Sequence, residues 1–420
     1  MNFFFTFLYN LGIQFYHLGI VTAALWNRKA QRWLQGRKNQ FEKIEMLQHE
    51  NEYRAWFHCA SAGEFEQGRP LMEAYRKQWP QHKIILTFFS PSGFELRKNY
   101  AGADHVFYLP LDTAANARKF VSLIKPRLAV FVKYEFWYHH LQALKQQHIP
   151  AILVSGIFRK EQLFFKWIGK PWRNVLHFFK HLFLQDEASL QLLQSINIQH
   201  ATVAGDTRFD RVWQIAQQPK NLPIIRSFKG TAKIFVAGST WPEDEKLLME
   251  LIAFKTFPWK WIIVPHELEK QHLEDLKSKW KDDAVFYSMA SIDDISGKRI
   301  LIVDEMGLLS SIYSYADMAY VGGGFGKGIH NIPEAAVYGI PVLFGPLYQQ
   351  FNEAHALLKS GVVITVGNSK ELITAFNHFA AQSSSFAMVN RNYIAAQKGA
   401  TEKIIEYLQK ISSNTFSSPA

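Results

Sequence analysis

Short apolar runs recur along the chain, each followed by a stretch whose apolar positions have helical spacing. From 55–57 onward they fall at 83–89, 105–109, Leu128–Val132, 151–154 and 181–185, with helical stretches such as 68–77, 114–125 and 141–147 between them. A strand that alternates apolar and polar positions has one wet face. Runs that are apolar throughout are covered on both faces, as in a parallel sheet with helices above and below. The rhythm restarts at 233–237 and continues through 261–264, 284–287, 299–303, Met318–Val321, 341–344 and 362–366. Helices are expected near 243–255, 268–279, 308–315, 333–338, 352–359 and 371–379. The segment 217–229, with Pro219 and Pro223, separates the two series. The pattern predicts two α/β domains, residues 40–216 and 217–389, with a cleft between them. A helix over 390–411 is expected to pack back on the first domain, followed by a frayed tail over 412–420.

Residues 3–27 break this pattern. They hold no ionisable side chain except His17, are rich in Phe, Leu, Ile and Tyr, and are interrupted by Asn10 and Gln14. About twenty apolar residues suffice to cross a hydrocarbon layer. A spanning anchor, a helix lying in the interface and a soluble apolar arm all remain open. The absence of a basic region before the segment, and of a cleavage site after it, argues against a removed signal peptide. Arg28, Lys29, Arg32, Arg37 and Lys38 follow at once, so residues 1–39 read as a membrane-associated helix with a basic linker. Those charges favour a body on the cytoplasmic side of an anionic membrane surface.

A length of 420 residues exceeds one ordinary core. The formal charge of +11 points to an anionic partner, whether nucleic acid, membrane or small substrate. No nucleic-acid module organises the body, which makes nucleic acid the weakest of the three. The single cysteine, Cys59 in WFHCAS, excludes an intrachain disulfide and a thiolate cluster and is expected to be buried. Neither a D-x-D pair nor a His/Cys cluster offers a metal site, so metal-independent chemistry without a cofactor is expected.

Candidate chemistry gathers at strand ends, where parallel sheets bind ligands. HCASAGE at 58–64 brings Glu64 there, either as a proton acceptor or as the N3 partner of Ser61 in a capping box; Ser61 and Gly63 would lie on the acceptor side. SPSGFE at 90–95 repeats the capping spacing between Ser92 and Glu95, with Ser92 and Gly93 as acceptor-side contacts. KYEFWY at 133–138 places Glu135 among aromatics, buried and paired with Lys133 or a more distant base. Arg208 in GDTRFDR either faces an anionic donor or pairs with Asp206 and Asp210. Gly238 and Ser239 in GSTWPEDE precede a helix start at Thr240, Pro242 and Glu243 and are donor-side candidates to hold a phosphate. His266 in VPHE, and Met306 and Gly307 in DEMGL, end further strands.

The glycine-rich stretch 322–328 fits neither G-x-G-x-x-G nor G-x-x-x-x-G-K and reads as an anion or nucleotide-sugar loop. Gly324 lies within it. Asn331 and Glu334 follow with capping-box spacing, Glu334 also being placed to receive a ribose hydroxyl, and Asn352 follows a later turn.

Taken in order, HCASAGE, SPSGFE, KYEFWY, GDTRFDR, GSTWPEDE, VDEMGLLSSIY, GGGFGKGIHNIPEAA and FNEA resemble the 3-deoxy-D-manno-octulosonic acid (Kdo) transferase family over most of residues 55–360. Tyr138 stands where the related pattern has proline, and Pro333 and Ala335 stand where it has leucine and proline. The resemblance implies a GT-B architecture of two Rossmann-like domains facing an interdomain cleft. It also implies CMP-Kdo as donor substrate, a tetraacylated lipid A precursor as acceptor, and a place at the cytoplasmic face of a bacterial inner membrane, with no obligate protein partner. It makes Glu64 the general base and Glu135 a second essential carboxylate. Donor contacts fall on Arg208, His266, Met306, Gly307, Asn331, Glu334 and Asn352. Another membrane-associated GT-B transferase and a non-enzymatic nucleotide-sugar-binding protein are the rival expectations.

Overall fold

The computed structural model describes residues 3–49, 52–254, 259–293, 295–326, 328–381 and 387–415. The chain forms two compact units, dividing after Asp210 and again after Gln397, so that the last helix belongs with the first unit. The division falls inside the helix Thr207–Gln217, upstream of the proline-containing segment 217–229, where Pro223 instead opens the helix Pro223–Lys229 of the second unit.

In the first unit seven parallel strands, β1 (Arg54–Cys59), β2 (Lys83–Phe88), β3 (His105–Tyr108), β4 (Leu128–Val132), β5 (Ala151–Gly156), β6 (His181–Leu184) and β7 (Ala201–Val203), lie in the order β3-β2-β1-β4-β5-β6-β7. All six residues of β1 are buried. Trp56 joins Ile85, Phe120 and Phe131 in one core, while Phe57 and Cys59 join Phe65, Leu86 and Val130 in another. Successive side chains point to opposite faces, so a strand feeding two cores sends apolar side chains to both, and its polar members, Arg54 and His58, are buried with hydrogen-bond partners. Each large side chain removed from water contributes about 1.5–3 kcal/mol. Burial pushes the Cys59 thiol well above its usual range, with Glu64 and Glu135 adding to the shift, which suits a core thiol and not a nucleophile.

The N-terminal helix, Phe3–Ala23, packs along this unit. Phe5 meets Tyr138 and Trp172 edge-on at 5.3 and 5.1 Å, the Tyr9 hydroxyl donates to Asp112, and Asn10 Oδ1 lies 2.6 Å from His139 Nε2. Asn10, a polar position that interrupts the apolar run, is thus a contact with the domain. Among the described residues no helix is long and apolar enough to cross a membrane. Arg37, expected in an exposed basic cluster, is instead enclosed. Its guanidinium lies 3.7 Å from the Trp33 ring and donates to the carbonyls of Leu109 and Phe89, and burial lowers its pKa to about 9.

The second unit repeats the plan with β8 (Lys233–Thr240), β9 (Trp259–Pro265), β10 (Ala284–Phe286), β11 (Ile300–Ile302), β12 (Met318–Val321), β13 (Val342–Phe344) and β14 (Val363–Thr365), in the order β10-β11-β9-β8-β12-β13-β14. Phe235, Trp261 and Phe376 centre its core.

The single helix expected over 390–411 is two. Ala387–Gln397 stays with the second unit, where Asn390 donates to the Ile340 carbonyl at 3.0 Å; Ala400–Thr415 packs Ile404 and Leu408 into the first. Gly399, at φ +106°, makes the break, and Asp210 accepts the amides of Gly399 and Thr401 at 2.5 and 2.7 Å to cap the second helix. That helix continues through Ser412 to Thr415, past the expected start of the frayed tail, while 416–420 lie outside the described residues.

Candidate active site

In each sheet the chain crosses from one side of its first strand to the other, and ligands of open parallel sheets bind at the carboxyl ends of the strands flanking such a switch. In the first unit the flanking strands are β1 and β4. The turn after β1 carries Ser61 and Glu64, and the turn after β4 carries Lys133 and Glu135. Lys133 holds φ +69°, an uncommon left-handed conformation for a residue with a side chain.

Glu64 does form the capping box. Its Oε2 accepts the Ser61 amide at 3.0 Å, and the Ser61 hydroxyl accepts the Glu64 amide at 3.4 Å. The cap does not settle its charge. Burial, and then the neighbouring Glu135, push the Glu64 carboxyl up to about 8, against the pull of the Ala60 and Ser61 amides and of Lys133.

Glu135 is buried as expected, but the base it meets is His58. Its Oε2 lies 3.0 Å from His58 Nε2 and accepts from Trp137 Nε1 at 2.5 Å. Behind it, His58 Nδ1 is 2.8 Å from the Thr87 hydroxyl, which accepts from Trp56 Nε1 at 2.8 Å.

Gly93 brings the turn after β2 against the same place. A Cβ there would stand 3.1 Å from the Ser61 carbonyl carbon and the Ala62 amide nitrogen. The capping box expected between Ser92 and Glu95 is absent: Ser90 caps that helix, Ser92 lies 2.7 Å from it through the two hydroxyls, and Glu95 pairs with Lys98. With Pro91 at the first helical position, the cap lies two residues earlier than expected. Gly63 is exposed at the mouth of the first turn.

In the second unit the switch lies between β8 and β12, and their ends carry Gly238–Ser239 and the glycine loop. Gly322 is required there because a Cβ would come within 2.3 Å of the Ser239 carbonyl oxygen, and Gly324 because one would come within 2.5 Å of the Gly345 Cα. Ser239 is itself left-handed at φ +53°. Gly238 faces inward, toward the Tyr313 hydroxyl, so it shapes the strand and does not line a donor site.

Asp244 ties these ends together. Wholly buried, it accepts the amides of Trp241 and Gly323 at 2.9 Å each and the Tyr320 hydroxyl at 2.7 Å. Beside it, His266 and His330 stack at 4.3 Å, Trp241 stacks on His266 at 4.9 Å, and Trp241 Nε1 donates to His330 Nε2 at 3.0 Å. Burial, and next His266, lower the pKa of His330 to about 4.

Asn331 does not cap the helix Pro333–Ala336. It donates to Glu334 at 2.8 Å, while Ser310 donates to the other Glu334 oxygen at 3.1 Å. The Asn331 Oδ1 is buried with no hydrogen-bond partner.

Met306 is exposed, Gly307 turns at φ +80°, and Asn352 opens the helix Asn352–Leu358 from an exposed position. Arg208 is held by Asp206, at 2.6–2.8 Å through its guanidinium, and Asp210 accepts amides of the C-terminal helix. Among the described residues no group of three or more His, Cys, Asp and Glu side chains is placed to hold a metal ion.

His58, Thr87, Asp244 and His330 were not singled out from the sequence. His58 precedes a strand end by one residue and looks like core, and Asp244 follows a helix start and looks like a cap.

Residues 28–211 match the family model described as 3-deoxy-D-manno-octulosonic-acid transferase (kdotransferase). A 3-deoxy-D-manno-octulosonic acid transferase of Aquifex aeolicus is 28% identical over 323 residues, 76% of this chain and 84% of the relative. One of Chlamydia muridarum is 28% identical over 352 residues, 80% of each. Among solved structures, the UDP-GlcNAc 2-epimerase of Neisseria meningitidis bound to UDP-GlcNAc superposes with a TM-score of 0.58 at 15% identity, over 85% of this chain and 100% of its own. That likeness is one of fold. The fold is GT-B-like, with two Rossmann-like units.

Proposed function

The chain belongs with the Kdo transferases, and from that premise we propose that it is an inverting glycosyltransferase moving Kdo from CMP-Kdo to a tetraacylated lipid A precursor. In this reading Glu64 takes the proton of the acceptor hydroxyl as that oxygen bonds to C2 of Kdo. The bond from C2 to the phosphate oxygen breaks in the same displacement, and CMP leaves with the electron pair.

The observation that carries the reading is a carboxylate at a switch-point strand end whose pKa is pushed up to about 8 by burial and a second carboxylate. A base with a pKa near the working pH is suited to this transfer. In the second unit the amides of the glycine loop, the stacked His266 and His330, and the open acceptor on Asn331 supply polar contacts for a nucleotide and its phosphate. Transfer needs no metal in this reading, since amide and imidazole donors can meet the leaving phosphate.

We place the work at the cytoplasmic face of the bacterial inner membrane, with the N-terminal helix lying on the surface. Its outward Phe4, Phe7, Phe15 and Leu18, and the exposed Arg28, Lys29 and Arg32, support that placement.

The test is release of CMP and the mass of the lipid product when the full chain meets CMP-Kdo and the acceptor in the presence of a chelator. UDP- and GDP-sugars serve as competing donors. Glu64→Gln is expected to fold and to lose about 10²–10⁴-fold in rate. Undiminished turnover by Glu64→Gln would remove the base from the reading, and strict dependence on added Mg²⁺ would remove the metal-free step.

A further inference from the structure

We infer that the buried series Trp56, Thr87 and His58 is a positioning device for Glu135, and that through Glu135 it decides how readily Glu64 takes and gives up a proton. The inference rests on the reading of Glu64 as the base.

The shorter contacts along the series favour one arrangement for a neutral ring. An indole nitrogen only donates, so Trp56 Nε1 places its hydrogen on the Thr87 oxygen at 2.8 Å. The single Thr87 proton then points at His58 Nδ1, 2.8 Å away, in preference to the Phe57 carbonyl at 3.4 Å. With Nδ1 accepting, the ring proton sits on Nε2 and is donated to Glu135 Oε2 at 3.0 Å. Trp137 Nε1 lies 3.1 Å from His58 Nε2, but its contact with Glu135 Oε2 is shorter, at 2.5 Å, and its hydrogen goes there.

One carboxylate oxygen thus receives two N–H donors from rings held by packing, and His58 is wholly buried. Two such donors fix the position of the Glu135 carboxylate. That anion raises the pKa of Glu64, second only to burial.

The other groups facing Glu64 come from neighbouring elements. Lys133, at the end of β4, opposes Glu135, as do the Ala60 and Ser61 amides. Tyr134 and Cys59 also feel the Glu64 charge, and both have raised pKa values, so they are neutral partners at neutral pH. Glu135 is therefore the carboxylate that raises the pKa of Glu64, and the series behind it is built to hold it in place.

The alternative is that these residues only fasten the turn after β4. The two are separated by titrating Glu64 in the substrate-free full chain by carbon-13 NMR of its side-chain carboxyl, with Glu64→Gln assigning the resonance. A midpoint near 8 is expected in the unaltered protein. It should fall by about one pH unit or more in Glu135→Gln, and fall in the same direction in Thr87→Val and His58→Phe, with Thr87→Ser restoring it. Should His58→Phe fail to fold, the near-isosteric Thr87→Val carries the test alone. A Glu64 midpoint that stays put in Thr87→Val, or that moves only with Glu135→Gln, overturns the inference. Because no substrate is present, a failure of Kdo transfer leaves this titration standing, and a failed titration leaves the transfer reading standing.

Discussion

A carboxylate that caps its own helix is ordinarily held ionised by the amides it accepts, yet burial and Glu135 outweigh those amides at Glu64. Cap and base were rival readings of HCASAGE, and the structure gives the same side chain the cap geometry and a pKa suited to a base. The spacing of Ser61 and Glu64 was enough to foresee the box. The raised pKa was not legible, because it depends on a residue 71 positions away across the β1–β4 pairing.

Two consequences follow for pH. First, kcat/KM measured from about pH 6 to 9.5 should climb with pH and level off above about 8, as the base form of Glu64 fills. Second, between the ordinary carboxylate range and about 8 the native state binds a proton that the unfolded chain has released. The contribution of Glu64 to stability is therefore full at low pH and is lost as pH rises through that window. Glu64→Gln, which keeps a capping-box residue, should match the parent in thermal unfolding near pH 4 and melt no lower than it at pH 8. A variant that melts well below the parent at pH 8 would contradict the raised pKa.

Among the elements, the glycine loop shows why composition was a good guide and an incomplete one. Gly322 and Gly324 announced close backbone approach, and the structure supplies the surfaces approached, Ser239 and Gly345. The acidic run after Pro242 announced a helix start, but the decisive member is Asp244, whose partner Gly323 lies 79 residues away in the loop after β12. That contact depends on β8 and β12 being neighbours, and strand order cannot be read from a list of apolar runs. The same limit hid His58 as the partner of Glu135.

Asp244→Ala would leave the Trp241 and Gly323 amides and the Tyr320 hydroxyl without their acceptor. Unmet buried donors cost roughly 1–3 kcal/mol each, so urea unfolding of the second unit should report a loss of about 3 kcal/mol or more. Calorimetry should show CMP-Kdo binding weakened by about tenfold or more, with the Glu64 titration unmoved. A variant that keeps parental stability and donor affinity would show that the Asp244 bridge does not hold the loop.

At the scale of the whole molecule, both series of apolar runs became seven-stranded parallel sheets, the first gaining β7, a short and mostly uncovered strand, beyond its six runs. The N-terminal helix was harder to read, since one apolar stretch fits a spanning, lying or docked segment equally. Its docking is visible only when Thr6, Tyr9 and Asn10 meet Tyr138, Asp112 and His139. What remains outward is an apolar face continuous with exposed Trp167 (84%) and Ile168, around a hollow of about 410 Å³ lined by Phe4, Leu8, Ile13, Ile168 and Trp172. Exposed Lys166 and Lys170 flank that loop, and Arg28, Lys29 and Arg32 follow the helix.

An apolar face bordered by cations adsorbs to an anionic bilayer by two separable forces, burial of the rings and attraction to the headgroups. The full chain should therefore co-sediment with vesicles containing phosphatidylglycerol and do so more weakly with neutral ones. Raising salt should cut the binding without abolishing it, since screening acts on the cations alone. Replacing Arg28, Lys29 and Arg32 by glutamine should remove about 1 kcal/mol apiece and flatten the salt dependence. Phe7→Ser with Phe15→Ser should lower binding at every salt concentration while leaving the salt slope unchanged. If the serine pair bound like the parent, the outward face of the helix would have no part in membrane attachment, and the basic residues alone would have to account for it.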